Sequence, residues 1–186
     1  MSTSRVALIT GAGSGIGKAC ATALLQDGWN VVFVGRRAEP LHAAIAAAGA
    51  NAQRGVAMPC DVGDEDAVAA TFEAVKQRFG RLDLLFNNAG ISLPVKTPDE
   101  LDPATWRNAV DVNLNGAFFC LSQAFKLMRH QDPKGGRIIN NGSISAHTPR
   151  PMSVAYTSTK HAITGLTKCI ALDGRPFNIA CGQLDI

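Results

Sequence analysis

Val6-Ala-Leu-Ile9-Thr10-Gly11-Ala-Gly-Ser14-Gly15-Ile16-Gly17 reads as a short apolar strand, a glycine-rich turn and the opening of a helix. Behind it Ile16, Ala19, Cys20, Ala23 and Leu24 recur at helical spacing as far as Asp27-Gly28, a natural helix stop. A strand–turn–helix unit of this kind brings main-chain N–H groups and the positive end of a helix close to a pyrophosphate. Two familiar versions of the turn are excluded or fit badly. A P-loop needs glycine where Ala12 stands and a hydroxyl where Ala19 stands, and Gly-x-Gly-x-x-Gly would end on Ile16 or Lys18. The spacing here is Gly11-x-x-x-Gly15-x-Gly17 after a threonine.

The pattern then alternates. Val31–Val34 reads as a second strand ending in Gly35-Arg36-Arg37. An acidic residue roughly 20 positions past the turn would hold the ribose hydroxyls of NAD. Two guanidinium groups stand there instead and suit a 2′-phosphate, which points to NADP, with Glu39 near enough to keep NAD as the alternative. A helix over Pro40–Ala48, a strand over Val56–Cys60 and a helix from Asp64 to Gly80 follow. Asp61 and Val62 stand at a strand end, where the acid either accepts from an adenine amino group or opens the next turn. Leu82–Phe86 reads as the fourth strand and runs into Asn87-Asn88-Ala89-Gly90. Asp102-Pro103 caps a long helix to Arg129, in which Asn113, Asn115 and Gly116 are poor interior residues that predict a local distortion or a site. Arg137–Asn141, a helix to Leu172 and a strand over Phe177–Cys181 complete the series. Alternating strands and helices with short turns predict an α/β fold with a doubly wound parallel sheet, order 3-2-1-4-5-6, over residues 1–186 as one domain.

Tyr156, the sole tyrosine, precedes Lys160 by four residues, so on a helix the two side chains share a face. A phenol with an ordinary pKa of about 10 is a poor base at neutral pH. An ammonium beside it favours the phenolate, and bringing the phenol to a pKa of about 7 requires about 4 kcal/mol of differential stabilisation.

These stretches together resemble the short-chain dehydrogenase/reductase family over essentially the whole chain. Thr10-Gly11 to Gly17 resembles its cofactor turn, Asn87-Asn88-Ala89-Gly90 its sheet-and-cofactor motif, and Asn113-Leu-Asn-Gly116 its Asn-x-x-Gly. Ser143 and Tyr156-Thr-Ser-Thr-Lys160 resemble its serine and Tyr-x-x-x-Lys. The resemblance implies a Rossmann fold and a catalytic tetrad of Asn113, Ser143, Tyr156 and Lys160. It implies hydride transfer between NADP(H) or NAD(H) and a carbonyl or secondary alcohol, with Tyr156 as general acid/base. Ser143 would steady the substrate oxygen, Lys160 would bind the nicotinamide ribose, and Asn113 would hold a water that connects Lys160 to solvent. Cofactor contacts are expected from Gly11, Ser14, Gly15, Ile16, Gly17, Arg36, Arg37, Asp61, Val62, Asn88, Ala89, Gly90, Tyr156 and Lys160. No metal is expected. Cys181-Gly182 stands where the family usually has Pro-Gly, and members carry a further C-terminal strand and a substrate-covering lid. The expectation is that these 186 residues lack both and are part of a longer chain, which leaves a sheet edge unpaired.

A non-catalytic dinucleotide-binding protein of the same fold is the alternative, and the intact Ser143, Tyr156 and Lys160 speak against it. Sugar-nucleotide epimerases and dehydratases share the Tyr-x-x-x-Lys helix but resemble a Gly-x-x-Gly-x-x-Gly turn, which Gly11, Gly15 and Gly17 do not make. Ile91, Ser92, Leu93, His147, Pro149, Pro151 and Met152 are expected to line a moderately apolar substrate pocket. His147 reads as an ordinary loop histidine. The net charge of +3 is mild and its basic residues are scattered, which argues against a nucleic-acid footprint. Five cysteines without a Cys-x-x-Cys read as free thiols of a reducing, cytoplasmic compartment, and no apolar run is long enough for a membrane span. Surplus apolar residues on the helices after the fourth and fifth strands, with the small Gly165, predict a homodimer or a homotetramer built from such dimers.

Overall fold

The structure, a computed structural model, describes residues 5–186. Its centre is two strands, β1 (Val6–Thr10), buried at every position, and β2 (Asn30–Gly35), buried at its four inner ones. Unbroken apolar strands are what a parallel sheet covered on both faces requires. β3 (Gly55–Pro59), β4 (Leu84–Asn87), β5 (Gly136–Asn141) and β6 (Ile179–Leu184) join them in a wholly parallel six-stranded sheet of order β3-β2-β1-β4-β5-β6. This is the expected doubly wound Rossmann arrangement.

Helices α1 (Gly15–Gln26) and α2 (Ala38–Ala46) lie on one face. There Ala21, Leu25, Leu41 and Ala44 pack on Ala7, Ile9, Val31 and Phe33. On the other face α3 (Glu65–Phe79) and α5 (Gly116–His130) bring Val68, Phe72, Val75, Cys120, Leu121 and Met128 against Val6, Leu8, Val32, Leu85 and Ile138. Leu166 and Ile170 of α6 (Val154–Asp173) extend that layer. α3 shows why such a segment is helical. Asp64 caps it by accepting from Ala67 N at 3.1 Å, Glu65 and Asp66 occupy its first turn, Lys76 and Arg78 its last, and Gly80 ends it at φ 70°. Each charge complements the helix dipole.

Three expectations need correction. The helix expected over 103–129 is interrupted: α4 (Pro103–Val110) and α5 are joined by a π-helical turn, Asp111–Asn115. Gly116 follows it because Val62 presses against the backbone there; a Cβ would stand 2.8 Å from Val62 Cγ2. The last strand begins at Ile179 and not at Phe177, which sits in a 3-10 turn closed by Asn178 at φ 58°. The helix expected from Pro40 starts two residues earlier, at Ala38. β6 stands at the edge of the sheet with one neighbour, β5. Among the described residues no helix is long and apolar enough to cross a membrane.

The chain leaves β1 toward one face and β4 toward the other, so the two strands must part at their carboxyl ends. Thr10, fully buried, spans the gap. Its hydroxyl oxygen accepts from Asn88 N and Ala89 N, both at 2.9 Å, and its carbonyl accepts from Asn88 Nδ2 at 2.9 Å. Asn88 Oδ1 in turn accepts from Asn141 Nδ2 at 2.9 Å, which ties β5 into the same seam. Thr10→Val keeps the side-chain shape and leaves two N–H groups without their acceptor. We expect a loss of about 1–3 kcal/mol of unfolding free energy by denaturant titration; a change below about 0.5 kcal/mol, the size of a neutral surface substitution, would show that the clamp does not hold the strands.

Candidate active site

At the carboxyl edge of the sheet, the glycine turn meets the α1 N-terminus. Gly17 packs so closely on the turn that a Cβ there would stand 2.5 Å from Asn88 Nδ2, so the helix axis approaches the strand end only with glycine at this position. Gly11 and Gly15 lie at φ 67° and 53°. Ser14 is the N-cap but makes no side-chain cap bond, and no acidic residue stands in the first turn. α3 and α4 differ, each having an aspartate cap. The positive end of α1 is thus open to an external anion. Ile16, on that first turn, is exposed.

A cleft of about 180 Å³ runs over this turn. Gly11, Gly13 and Ser14 form its floor, Arg36 and Arg37 one end, and Asp61, Val62, Ala89 and Gly90 the other side. Both arginines are exposed at the end of β2, and no ion pair among the described residues involves them. Asp61 Oδ1 accepts from Gly63 N at 3.1 Å and so shapes its own turn. Asn88 lies behind the cleft wall, committed to Thr10 and Asn141. Asn113, buried in the π turn, accepts from Ile91 N at 2.7 Å and donates to Ile91 O at 3.2 Å. Its amide holds the 90–91 turn in place, a task that the sequence does not announce.

Ser143 follows the end of β5, is buried, and caps a short 3-10 turn. Its Oγ accepts from Ser145 N at 3.2 Å. That bond fills an acceptor position and leaves the hydroxyl proton to be donated, with Ile186 O at 3.4 Å as a distant internal acceptor. Tyr156, half-buried, and Lys160, buried, lie one turn apart on α6 as the spacing predicts. Lys160 Nζ donates to Asn141 O at 2.6 Å and stands 5.6 Å from the centre of the Tyr156 ring. Burial lowers the Lys160 pKa, and the Asp185 carboxylate acts against that by raising it. The strand-end amide seam therefore continues from Thr10 through Asn88 and Asn141 to the Lys160 cation.

Of the residues expected around substrate, Leu93 and Met152 line a small hollow against Tyr156, Pro149 and Met152 line a second beside it, and Ile91 faces the longer cleft. Lys96 N donates to Met152 O at 3.1 Å and joins the two loops that bear them. His147 is not a free loop histidine, since its Nε2 lies 2.8 Å from Asp185 Oδ2. Asp185 and the linking role of Asn141 escape sequence reading: neither carries a recognisable spacing. Among the described residues no group of three or more His, Cys, Asp or Glu side chains is gathered as a metal site.

Known proteins are similar to this chain in sequence and fold. Residues 5–184 match the family described as short chain dehydrogenase. A 3beta-hydroxysteroid dehydrogenase of Mediterraneibacter gnavus is 41% identical over 180 residues, 97% of this chain and 64% of that protein. The structure of a 3-ketoacyl-(acyl-carrier-protein) reductase from Brucella melitensis complexed with NADH superposes with a TM-score of 0.91 at 30% identity, covering 97% of this chain and 74% of that one. ElxO with NADP bound superposes with a TM-score of 0.91 at 32% identity, covering 98% and 73%. The chain spans 64% and 66% of the first two curated relatives it matches. With the family model matching residues 5–184 and the sheet order that of a Rossmann fold, the chain belongs to the short-chain dehydrogenase family.

Proposed function

We propose that this chain is the dinucleotide-binding and catalytic part of an NAD(P)-dependent oxidoreductase that interconverts a carbonyl and a secondary alcohol. The observation that carries the reading is the Lys160 side chain, buried beside the Tyr156 ring and pinned by Asn141 O, with Ser143, two residues on from Asn141, keeping a hydroxyl proton that has only a distant internal acceptor.

The residues fit a nicotinamide dinucleotide. The uncapped α1 N-terminus and the Gly11–Ser14 floor suit its pyrophosphate, and Arg36 and Arg37 suit a 2′-phosphate. Asp61 and Val62 would flank the adenine, and Ala89 and Gly90 the adjoining ribose. When bound, that group supplies or takes up the hydride. The protein does the rest. In the reduction direction the Tyr156 hydroxyl gives its proton to the carbonyl oxygen, and Ser143 donates a hydrogen bond where negative charge builds on that oxygen. Lys160, whose pKa burial lowers and the Asp185 carboxylate raises, donates to Asn141 O and in its charged form favours release of the Tyr156 proton at that moment. Asn113 keeps the 90–91 turn, and with it one cleft wall, in register. The apolar side chains Leu93, Val95 and Met152 beside Tyr156 favour a moderately apolar substrate. Ribose binding alone would account for the buried Lys160 and not for the tyrosine beside it, so the pair favours catalysis over a non-catalytic dinucleotide binder.

Tyr156→Phe is expected to lower turnover by about 10²–10⁴-fold, the usual worth of a positioned proton donor, while NADPH affinity stays within a few-fold. A variant keeping more than about a tenth of wild-type rate would end the assignment. NADPH is expected to bind about ten- to a hundred-fold more tightly than NADH, the worth of one charge-assisted phosphate contact. Cofactor fluorescence titration measures it, and equal affinities or a preference for NADH would refute the Arg36 and Arg37 roles.

Assembly follows from α5 and α6. Phe118 on α5 and Leu172 on α6 are 48% and 57% exposed, and a Cβ at Gly165 would meet open space. A second copy pairing these faces about a two-fold axis would bury them. Light scattering at low micromolar concentration should give a dimer or tetramer mass; a monomer mass would overturn the pairing.

A further inference from the structure

Asp185 stands where β6 leaves the sheet, and its carboxylate takes donors from three directions. Oδ1 accepts from Ser143 N at 2.9 Å and from Gln183 Nε2 at 2.6 Å, and Oδ2 faces His147 Nε2 at 2.8 Å. These partners outweigh the upward push of burial and hold the carboxyl below its ordinary pKa. The position of the contact is informative. The β5–β6 ladder ends at Asn141↔Leu184, with Gly142 N still donating to Leu184 O at 2.8 Å. One step further along, the Asp185 side chain takes the place of a main-chain acceptor and receives the Ser143 N–H. Gly142 makes room for it, since a Cβ there would collide with Asp185 Oδ1.

The carboxylate is itself fixed from behind. Gln183 Nε2 also donates to Thr164 Oγ1 at 3.0 Å. Thr167 Oγ1 accepts from Asn140 Nδ2 at 2.9 Å and has Gln183 Oε1, at 3.2 Å, among its acceptors. Asn140 is in turn held by Asn87 Nδ2 at 3.2 Å. A polar chain thus runs from the middle of the sheet, across α6, to the far side of Ser143.

We propose that Asp185 is a positioning residue for Ser143. Its carboxylate anchors the Ser143 main chain beyond the end of the ladder, so that the hydroxyl capped by Ser145 N keeps its proton aimed at the substrate oxygen. The proposal rests on the reading of Ser143 and Tyr156 given above as the pair that meets that oxygen. It assigns the acceptor role to one oxygen, so the neutral amide of asparagine should serve in its place and alanine should not.

Asp185→Ala is expected to lower kcat by about ten- to a hundred-fold, the worth of one hydrogen bond to a charged group, with the KM for NADPH unchanged. Asp185→Asn should restore kcat to within a few-fold of wild type. On a Ser143→Ala background, Asp185→Ala should bring a much smaller loss, because the residue acts chiefly through Ser143 and what is left is the effect of its charge on Lys160. Wild-type turnover in Asp185→Ala, an equal loss in both backgrounds, or no recovery in Asp185→Asn would overturn the proposal. Hydrogen exchange at the Ser143 amide reads the anchor without turnover: faster exchange in Asp185→Ala and near-wild-type exchange in Asp185→Asn support it, and unchanged exchange in Asp185→Ala overturns it. Altered exchange in a protein that reduces no carbonyl would uphold the anchor and remove the enzymatic reading instead.

Discussion

One threonine hydroxyl holds the seam on which the candidate site is built. β1 and β4 are neighbours whose outgoing chains turn to opposite faces, and the crevice this opens is where a parallel sheet can take a ligand. An open crevice leaves main-chain N–H groups without ladder partners, at a cost comparable to a lost hydrogen bond for each. Thr10 meets two of them with one oxygen and meets the Asn88 side chain with its carbonyl. The glycine turn, the Asn88–Asn141 link and the Lys160 anchor all start from that junction.

The site sets buried polarity against stability in an orderly way. Lys160 carries a charge into a place where burial opposes it, and two features offset that: a close main-chain carbonyl and the carboxylate of Asp185 nearby. Asn113 and Asn140 are also buried, each with its polar atoms engaged, and Ser143, buried as well, accepts from Ser145 N and has only the distant Ile186 O for its proton. Such a network is rigid when complete, which is what positioning a substrate oxygen demands.

Much of this is legible in the chain itself, for physical reasons that differ from place to place. The strand order and the position of the crevice follow from alternating apolar runs and short turns. The Tyr156–Lys160 pair follows from helical spacing, and the Asp64 cap from its place before a helix. The break at Asp111–Asn115 is foreshadowed by Asn113, Asn115 and Gly116, although their propensities cannot say that the backbone widens into a π turn. The start of β6 is misplaced by the apolar pattern because Phe177 spends its side chain on Phe125 and on the Arg129 guanidinium, outside the sheet. Asp185 is invisible, because its partners come from β6, from the residue after the β5 turn and from the loop beyond it, and none lies at a spacing that periodicity detects. Local rules read local structure; contacts assembled by the sheet register are read only once the register is known.

The π turn also makes the chain intolerant in a particular way. It holds one residue more than an α-helical turn, and in an α-helix each residue advances the side chains by about 100°. A one-residue deletion within 111–115 would relieve the local irregularity and lengthen a regular helix, a change that looks benign by propensity alone. In packing the change is small too, because the π turn spends its extra residue within a single turn and the α-helix left behind keeps Cys120, Leu121 and Ala124 on the sheet. What the deletion would disturb is the wall of the cleft, where Asn113 of the π turn holds the Ile91 main chain, so the irregularity serves the site and not the core.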